Sequence, residues 1–415
     1  MLRVEIAATG NELIRGEIAD TNSAWLAEQL RFVGAPASRV HVIGDDASAL
    51  GEILGEIASR ADLALVTGGL GSTPDDVTLR AAAEISGRRL VPEPEAERSL
   101  REALRARTGT DMPETAASQA LIPEGSLVLP NPLGTAPGFG LSLNCCLLFF
   151  LPGVPREMKQ MVADSVLPHI QAQYPDRLRP VLTRRMNIFG LTESGISHRL
   201  HDLRRLFPQV ELSFRFIFPR IQLGLSADQA ETSREELERA QGWVLEKLGR
   251  NVVSAADESL PEVVGRLLRD KGADLSLAES CTGGLLARRI TSVAGSSDYF
   301  SLGAVTYSNR AKMELLCVGE ATLKQHGAVH EETAREMAEG MRRLAGSTFA
   351  LSTTGVAGPK GGTPDKPVGT VCLGLASPQG TTSRRIQWDS GDRRANQSFF
   401  SECALDLLRR RMLPS

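Results

Sequence analysis

A chain of 415 residues, 42% hydrophobic and 23% charged, is too long for one typical domain and has the composition of a globular protein built from two or three. Its formal net charge of −3 excludes bulk electrostatic binding to nucleic acid. The six cysteines (Cys145, Cys146, Cys281, Cys317, Cys372 and Cys403) offer no CxxC pair and no secreted disulfide framework, and the longest apolar run, 145–152, is too short to cross a bilayer. The opening Met1-Leu2-Arg3-Val4-Glu5 reads as a short strand rather than a signal peptide, so a cytoplasmic protein is expected.

Residues 2–8 read as a buried strand, followed by Thr9-Gly10-Asn11-Glu12 and a helix through 25–32. A strand at 38–43, a helix at 48–60 and a strand at 62–67 come next, and this order predicts a doubly wound, mainly parallel α/β sheet. The last of these strands runs into Gly68-Gly69-Leu70-Gly71-Ser72-Thr73-Pro74-Asp75-Asp76-Val77-Thr78. The glycines expose amides to an anion and a helix N-terminus adds partial positive charge. Asp75 and Asp76 would repel a phosphate unless a cation intervened; otherwise they cap the helix, with Pro74 in its first turn. A strand at 147–151 enters Pro152-Gly153-Val154-Pro155 and a helix, where Glu157 is either a metal ligand or an acid favoured by the helix dipole.

The polar, proline-bearing stretch 172–182 marks a boundary. From 183 to 250 a small α+β unit follows, with a strand, a helix at 192–204, two strands within 210–227 and a helix through Trp243. Residues 257–261 open a last domain in which strand and helix alternate to the C-terminus. The expected domains are 1–172, 173–255 and 256–415.

In that last domain a short strand leads into Ala278-Glu279-Ser280-Cys281-Thr282-Gly283-Gly284 and an amphipathic helix over 285–290. Ser280 is thereby held at a strand–helix junction beside exposed amides, the minimum outfit for acyl transfer; the bland alternative is close packing at the glycines with Ser and Thr as caps. Another strand-like run, 302–306, ends before Tyr307, and Lys312 follows in the next helix start. A lysine buried beside a serine loses proton affinity and can act as its base, whereas a surface lysine would do nothing. His198 and His201 are three apart on a helix without a Cys or acid partner and read as exposed. His326 and His330 are the only histidines of the last domain, and His330 reads as lying near a helix start; Cys281 is therefore only the second candidate nucleophile.

Ala-Glu-Ser-Cys-Thr-Gly-Gly (278–284), Tyr-Ser-Asn-Arg-Ala-Lys (307–312), Gly-Ala-Val (327–329), Thr-Gly-Val-Ala-Gly-Pro (354–359) and Gly-Asp-Arg (391–393) resemble the C-terminal domain of the CinA family. Thr9-Gly10-Asn11-Glu12, Asp20-Thr21-Asn22, the 68–78 loop, Asn131-Pro132-Leu133-Gly134-Thr135-Ala136-Pro137-Gly138 and Pro152-Gly153-Val154-Pro155-Arg156-Glu157-Met158 resemble the molybdopterin-binding domain family in its CinA branch. The resemblance covers nearly the whole chain. It implies a molybdopterin-binding-like N-terminal domain, a KH-like middle unit and a C-terminal α/β deamidase domain.

The implied activities are deamidation of nicotinamide mononucleotide (NMN) by the C-terminal domain and hydrolysis of the ADP-ribose pyrophosphate by the N-terminal one. In the first, Ser280 attacks, Lys312 takes its proton, Tyr307 assists and amides near Thr282, Gly283 and Gly284 hold the oxyanion. Glu279, Thr354, Gly355, Ala357, Gly358 and Arg393 are implied substrate contacts. At 397 this chain carries Gln where relatives have a basic residue, which moves the expected phosphate contact to Arg393 or Arg394. In the second, Gly10, Asn11, Asn22, Gly68, Gly69, Gly71, Thr78, Asn131, Gly134 and Thr135 are implied ligand contacts. Asp75, Asp76 and Glu157 would hold a divalent cation; the deamidase domain needs no cofactor.

The expected partners are small-molecule nucleotides, without a membrane. A KH domain clamps nucleic acid with a Gly-x-x-Gly loop, but Gly190-Leu191-Thr192-Glu193-Ser194-Gly195 has four residues between its glycines and a glutamate among them. Direct nucleic-acid binding is therefore not expected, and the arginine-rich middle unit reads as a spacer or homodimer contact. Two rivals stand beside this reading: an N-terminal binding module without hydrolysis, and an interaction protein in DNA uptake or repair.

Overall fold

The computed structural model describes residues 2–71, 73, 75–108, 121–229, 232 and 234–413. They form two compact units, one of residues 1–182 with 228–233 and the other of 183–227 with 234–415. Among the described residues no helix is long and apolar enough to cross a membrane.

The first unit contains strands β1 (Val4–Thr9), β2 (Ala37–Ile43), β3 (Leu63–Thr67), β4 (Leu90–Pro92), β5 (Leu121–Pro123), β6 (Leu127–Leu129), β7 (Gly138–Leu143) and β8 (Cys146–Leu151). Six of them build one sheet in the order β2-β1-β3-β8-β7-β6, while β4 and β5 pair separately. Strands β2, β1, β3 and β8 run parallel; β7 and β6 add an antiparallel edge. The central strands are buried on both faces, which is why they read as unbroken apolar runs. Ile6, Leu63 and Leu65 enter one core with helix Thr21–Phe32 and the helical run from Pro155, and Ala7, Ala64 and Val66 enter another with helix Ala47–Arg60. Because these four strands run parallel, every loop at their carboxyl ends opens on one side of the sheet. That side is where open α/β sheets bind ligands.

In the second unit, β9 (Val181–Ile188), β10 (Glu211–Ile217), β11 (Arg220–Asp228) and β12 (Val252–Ser254) form a four-stranded sheet ordered β10-β11-β9-β12. The helix expected at 192–204 is two pieces, Glu193–Arg199 and Leu203–Leu206. Thr192 caps the first, its hydroxyl accepting from the Gly195 amide at 3.1 Å, so the 190–195 segment is a helix start rather than an open loop.

Strands β13 (Leu275–Glu279), β14 (Phe300–Val305), β15 (Phe349–Gly355), β16 (Thr370–Ser377) and β17 (Gly380–Gln387) form the second large sheet, ordered β14-β13-β15-β16-β17. Strands β14, β13 and β15 are parallel. The expected alternation of strand and helix stops there, because β16 and β17 make an antiparallel hairpin. The reason is legible in burial: β17 (Gly-Thr-Thr-Ser-Arg-Arg-Ile-Gln) keeps one face in solvent, as an edge strand does, and lacks the apolar run of a central strand. Helices Leu260–Asp270 and Arg393–Met412 cover one face and helices Asn309–Leu316 and Glu331–Ala345 the other. The four-stranded sheet is tied to this layer. Arg409, 2% exposed, donates to the carbonyls of Arg250 and Val252. Asp257 accepts from Asn187 and Gln222.

Candidate active sites

Strand β13 ends at Glu279, and the chain turns through 280–284 into helix Leu285–Thr291. The turn needs left-handed backbone at Gly283 (φ 62°) and Gly284 (φ 93°), which glycine adopts without a Cβ penalty. Ser280 lies at its start, 8% exposed. From the neighbouring strand end, Ser308 caps helix Asn309–Leu316 by accepting from the Ala311 amide, and this helix aims Lys312 inward. Lys312 is 1% exposed, and its Nζ lies 3.1 Å from Ser280 Oγ. The same nitrogen donates to the carbonyls of Thr306 at 2.8 Å and Tyr307 at 3.3 Å. Burial pushes the lysine's proton affinity below its ordinary range. An amine with two N–H groups on carbonyls has its lone pair left for the third direction, the Ser280 hydroxyl.

The adjacent thiol is of another kind. Cys281 is 4% exposed within the apolar core, and burial pushes its pKa up to about 12. Such a thiol stays protonated at neutral pH, when only the thiolate is a strong nucleophile.

Other residues expected here take different places. Tyr307 meets Lys312 through its carbonyl, while its hydroxyl, expected to assist Ser280, accepts from Arg393 Nη2 at 3.2 Å on a side chain 61% exposed. Arg393 Nη1 donates to the Gly358 carbonyl at 2.7 Å, so Tyr307, Gly358 and Arg393 meet beside the Ser280–Lys312 pair; Arg394 is exposed on the same helix. Glu279, expected to touch substrate, is 1% exposed and turned into the protein, where its carboxylate accepts from Thr282 Oγ1 and the amides of Gly284, Leu286 and Ala287. Two amides expected to hold an oxyanion are therefore occupied, Gly284 by Glu279 and Gly283 by the Ser280 carbonyl. The Thr282 amide has no acceptor among the described residues, and the Cys281 amide faces only its own Sγ. Thr354 donates to the Ala328 carbonyl, and Gly355 packs so closely that a Cβ there would lie 3.2 Å from Cys281 Sγ; Ala357 is buried. Gln397 donates to the Cys281 carbonyl at 2.8 Å. His330 caps helix Glu331–Ala345. Sequence reasoning missed Thr306 and Thr353, whose contributions are a carbonyl and a hydroxyl bond to Thr282, features no residue pattern announces.

The N-terminal unit holds a second candidate site, a cavity of about 380 Å³ at the carboxyl ends of its parallel strands. Gly10, Gly68, Gly69, Gly71, Asp75, Asp76, Thr135 and Glu157 line it, together with Glu12 of the 9–12 motif and Asp45, which the sequence did not single out. Ser72 and Pro74 of this loop lie outside the described residues. The remaining expected residues build the walls. Asn11 and Asp45 exchange hydrogen bonds between amide and side chain; Asn22 bridges Thr67 and the Gly153 carbonyl. Thr78 lies 3.4 Å from Thr9, hydroxyl to hydroxyl, and Asn131 donates to Glu157 Oε2 at 2.8 Å. Gly134 passes so close that a Cβ would come within 2.0 Å of the Glu157 carboxylate.

Asp76 accepts from both the amide and the hydroxyl of Thr73. Among the described residues no group of three or more His, Cys, Asp or Glu side chains converges to hold a metal. The donors are all oxygen, which does not suit a structural zinc site. They do suit a hard cation that keeps its waters and takes one or two carboxylates while substrate phosphates supply the rest.

The chain is 43% identical over 411 residues to a CinA-like protein of Desulfosudis oleivorans, across 99% of each chain. The chain belongs to the CinA family. A CinA-like protein of Geobacter sulfurreducens is 44% identical over 420 residues, 99% of this chain and 100% of that one. Residues 257–412 match the CinA C-terminal domain and residues 5–172 the probable molybdopterin binding domain, so each candidate site falls inside one matched segment. Among solved structures, a competence/damage-inducible protein from Agrobacterium tumefaciens is 38% identical, with 36% of this chain and 93% of that one covered and a TM-score of 0.35. A competence damage-inducible protein A from Klebsiella pneumoniae is 36% identical over the same shares, also at a TM-score of 0.35.

Proposed function

We propose that this CinA-family protein is a hydrolase of pyridine nucleotides whose C-terminal domain deamidates NMN. The observation that carries the proposal is the buried contact of Lys312 Nζ with Ser280 Oγ at 3.1 Å. With its proton affinity lowered by burial, Lys312 takes the Ser280 proton as Oγ attacks the carboxamide carbon. The carbonyl π electrons move to oxygen, and the oxyanion falls to the amides of Cys281 and Thr282. Collapse breaks the C–N bond as Lys312 returns the proton to nitrogen, releasing ammonia and leaving an ester on Ser280. Water then repeats the attack with Lys312 as base and frees nicotinic acid mononucleotide. Arg393, bonded to the Gly358 carbonyl and the Tyr307 hydroxyl, is the cation for the substrate's phosphate. Ammonia release from NMN by the purified protein, and its loss in Ser280→Ala, tests this reading; no ammonia from the wild type refutes it.

For the N-terminal domain we infer hydrolysis of the ADP-ribose pyrophosphate. The supporting observation is a cavity that combines a glycine loop with several carboxylates at the carboxyl ends of parallel strands. One or two of Asp75, Asp76 and Glu157, rather than all three as expected from the sequence, would hold a divalent cation, which when bound offsets phosphate charge beside those acids. Gly68, Gly69 and Gly71 bring main chain close to the ligand, and Asn131 with Gly134 holds Glu157 in place. Binding of ADP-ribose without turnover under any divalent cation would make this domain a binding module instead.

A further inference from the structure

We infer that Glu279 is the positioning residue of the C-terminal site, setting nucleophile and base together from one point; this rests on the amidase reading of Ser280 and Lys312. Its carboxylate is 1% exposed, and its hydrogen-bond partners are neutral. Oε2 accepts from Thr282 Oγ1 at 2.7 Å, Gly284 N at 3.0 Å and Leu286 N at 3.1 Å, while Oε1 accepts from Ala287 N at 2.8 Å. A carboxylate removed from water is tolerated only when such donors replace its hydration, and here they belong to the turn that follows Ser280 and to the first turn of helix Leu285–Thr291. The Ser280–Gly284 turn is thus clamped at both ends, by strand β13 and by the side chain of that strand's last residue.

The main chain of the same residue reaches the base. The Glu279 carbonyl accepts from the Thr306 amide at 2.8 Å and, more weakly, from its hydroxyl at 3.4 Å. Thr306 in turn offers its carbonyl to Lys312 Nζ at 2.8 Å. The network has a polarity that fixes its hydroxyls. Thr282 donates its one hydroxyl proton to Glu279, so Thr353, 2.7 Å away, must donate to Thr282. The clamp also occupies the amides that would otherwise make this helix end an anion site. The oxyanion is left to the Cys281 and Thr282 amides next to the nucleophile, and a carboxylate product finds no competing perch at the helix end.

Glutamine at 279 keeps the shape but turns one acceptor into a donor facing either Ala287 N–H or the three donors on Oε2. The test measures the rate at which a fluorophosphonate labels Ser280, which needs no natural substrate, alongside NMN kinetics, in the full-length protein. Glu279→Gln is expected to label about a hundredfold more slowly and to lose kcat by a similar factor, with KM within about threefold of wild type, as misplacement of a nucleophile does. Thr282→Val, which removes one donor, should fall about tenfold, and Thr282→Ser, which restores the hydroxyl, should return to wild type. Wild-type labelling in Glu279→Gln overturns the inference, as does a raised KM at unchanged kcat, the mark of a substrate contact. If Glu279→Gln does not fold, as thermal melting would reveal, equal labelling of Thr282→Val and Thr282→Ser overturns it. A wild type whose Ser280 labels but which releases no ammonia from NMN refutes the substrate assignment alone, because the labelling ratios still decide the role of Glu279.

Discussion

The two candidate sites solve opposite electrostatic problems. At the C-terminal site the candidate nucleophile and base are already together and nearly dry: Ser280 and Lys312 are 8% and 1% exposed, and two carbonyls hold the amine against the hydroxyl. In the proposed mechanism desolvation there is the source of the chemistry, since burial lowers the proton affinity of Lys312 toward that of a usable base. At the N-terminal site the acids surround an open cavity, and Asp76 and Glu157 are bonded to the protein's own donors. Its carboxylates become useful toward a phosphate only with a cation between them. In the proposed reading one site carries its catalytic groups in its own side chains, and the other needs a cation to complete it.

That contrast can be broken at several points. The largest effect is expected from Ser280→Ala, which should lower NMN deamidation by on the order of a thousandfold or more while leaving ADP-ribose hydrolysis unchanged, measured as ammonia and AMP release in the same preparation. Removing divalent cations with a chelator should do the reverse, suppressing ADP-ribose hydrolysis by at least about a hundredfold while sparing ammonia release; an unchanged pyrophosphatase rate would refute the cation.

Lys312→Met should cost deamidation about a hundredfold or more in a protein that still melts near wild type. The pH dependence has a definite sign. A base works only when deprotonated, and burial lowers the folded pKa of Lys312, so wild-type kcat/KM should rise with pH through an inflection below the ordinary lysine value and then level off. An inflection at or above the ordinary value would mean that the amine is solvated in the working enzyme. Asp76→Asn should raise the cation concentration needed for half-maximal ADP-ribose hydrolysis by about tenfold, read from a metal titration. The smallest effect sharpens the choice of nucleophile: Cys281→Ala should keep most deamidation, because a thiol with a pKa near 12 contributes packing rather than a thiolate.

Much of this was legible in residue order. The apolar runs of β1, β3 and β8 and the glycine-punctuated turns at their ends predicted a doubly wound sheet and placed the N-terminal candidate site at strand ends. Ser280 and Lys312 stood out because a strand–turn–helix junction and a helix start are local patterns. Glu279, Tyr307 and Glu157 were visible as residues but not as roles. A side chain's direction depends on what packs around it: Glu279 turned inward to the helix amides, the Tyr307 hydroxyl went to Arg393 while its carbonyl served Lys312, and Glu157 met Asn131 across 26 positions. The β16–β17 hairpin was missed because Ile386 is the one apolar side chain in β17, so its alternating burial leaves no apolar period in the sequence.

By itself, then, the sequence determined most of the strands and helices, where the turns between them require glycine, and which serine and lysine those turns present, since these follow from short-range sterics and from the period of apolar residues. Only the tertiary structure decided that Lys312 is buried against Ser280, that the Cys281 thiol is submerged in the core and that the helix-end amides belong to Glu279. Proton affinity and hydrogen-bond partnership depend on solvent exclusion and on groups that fold in from distant parts of the chain, and neither is a property of the local sequence.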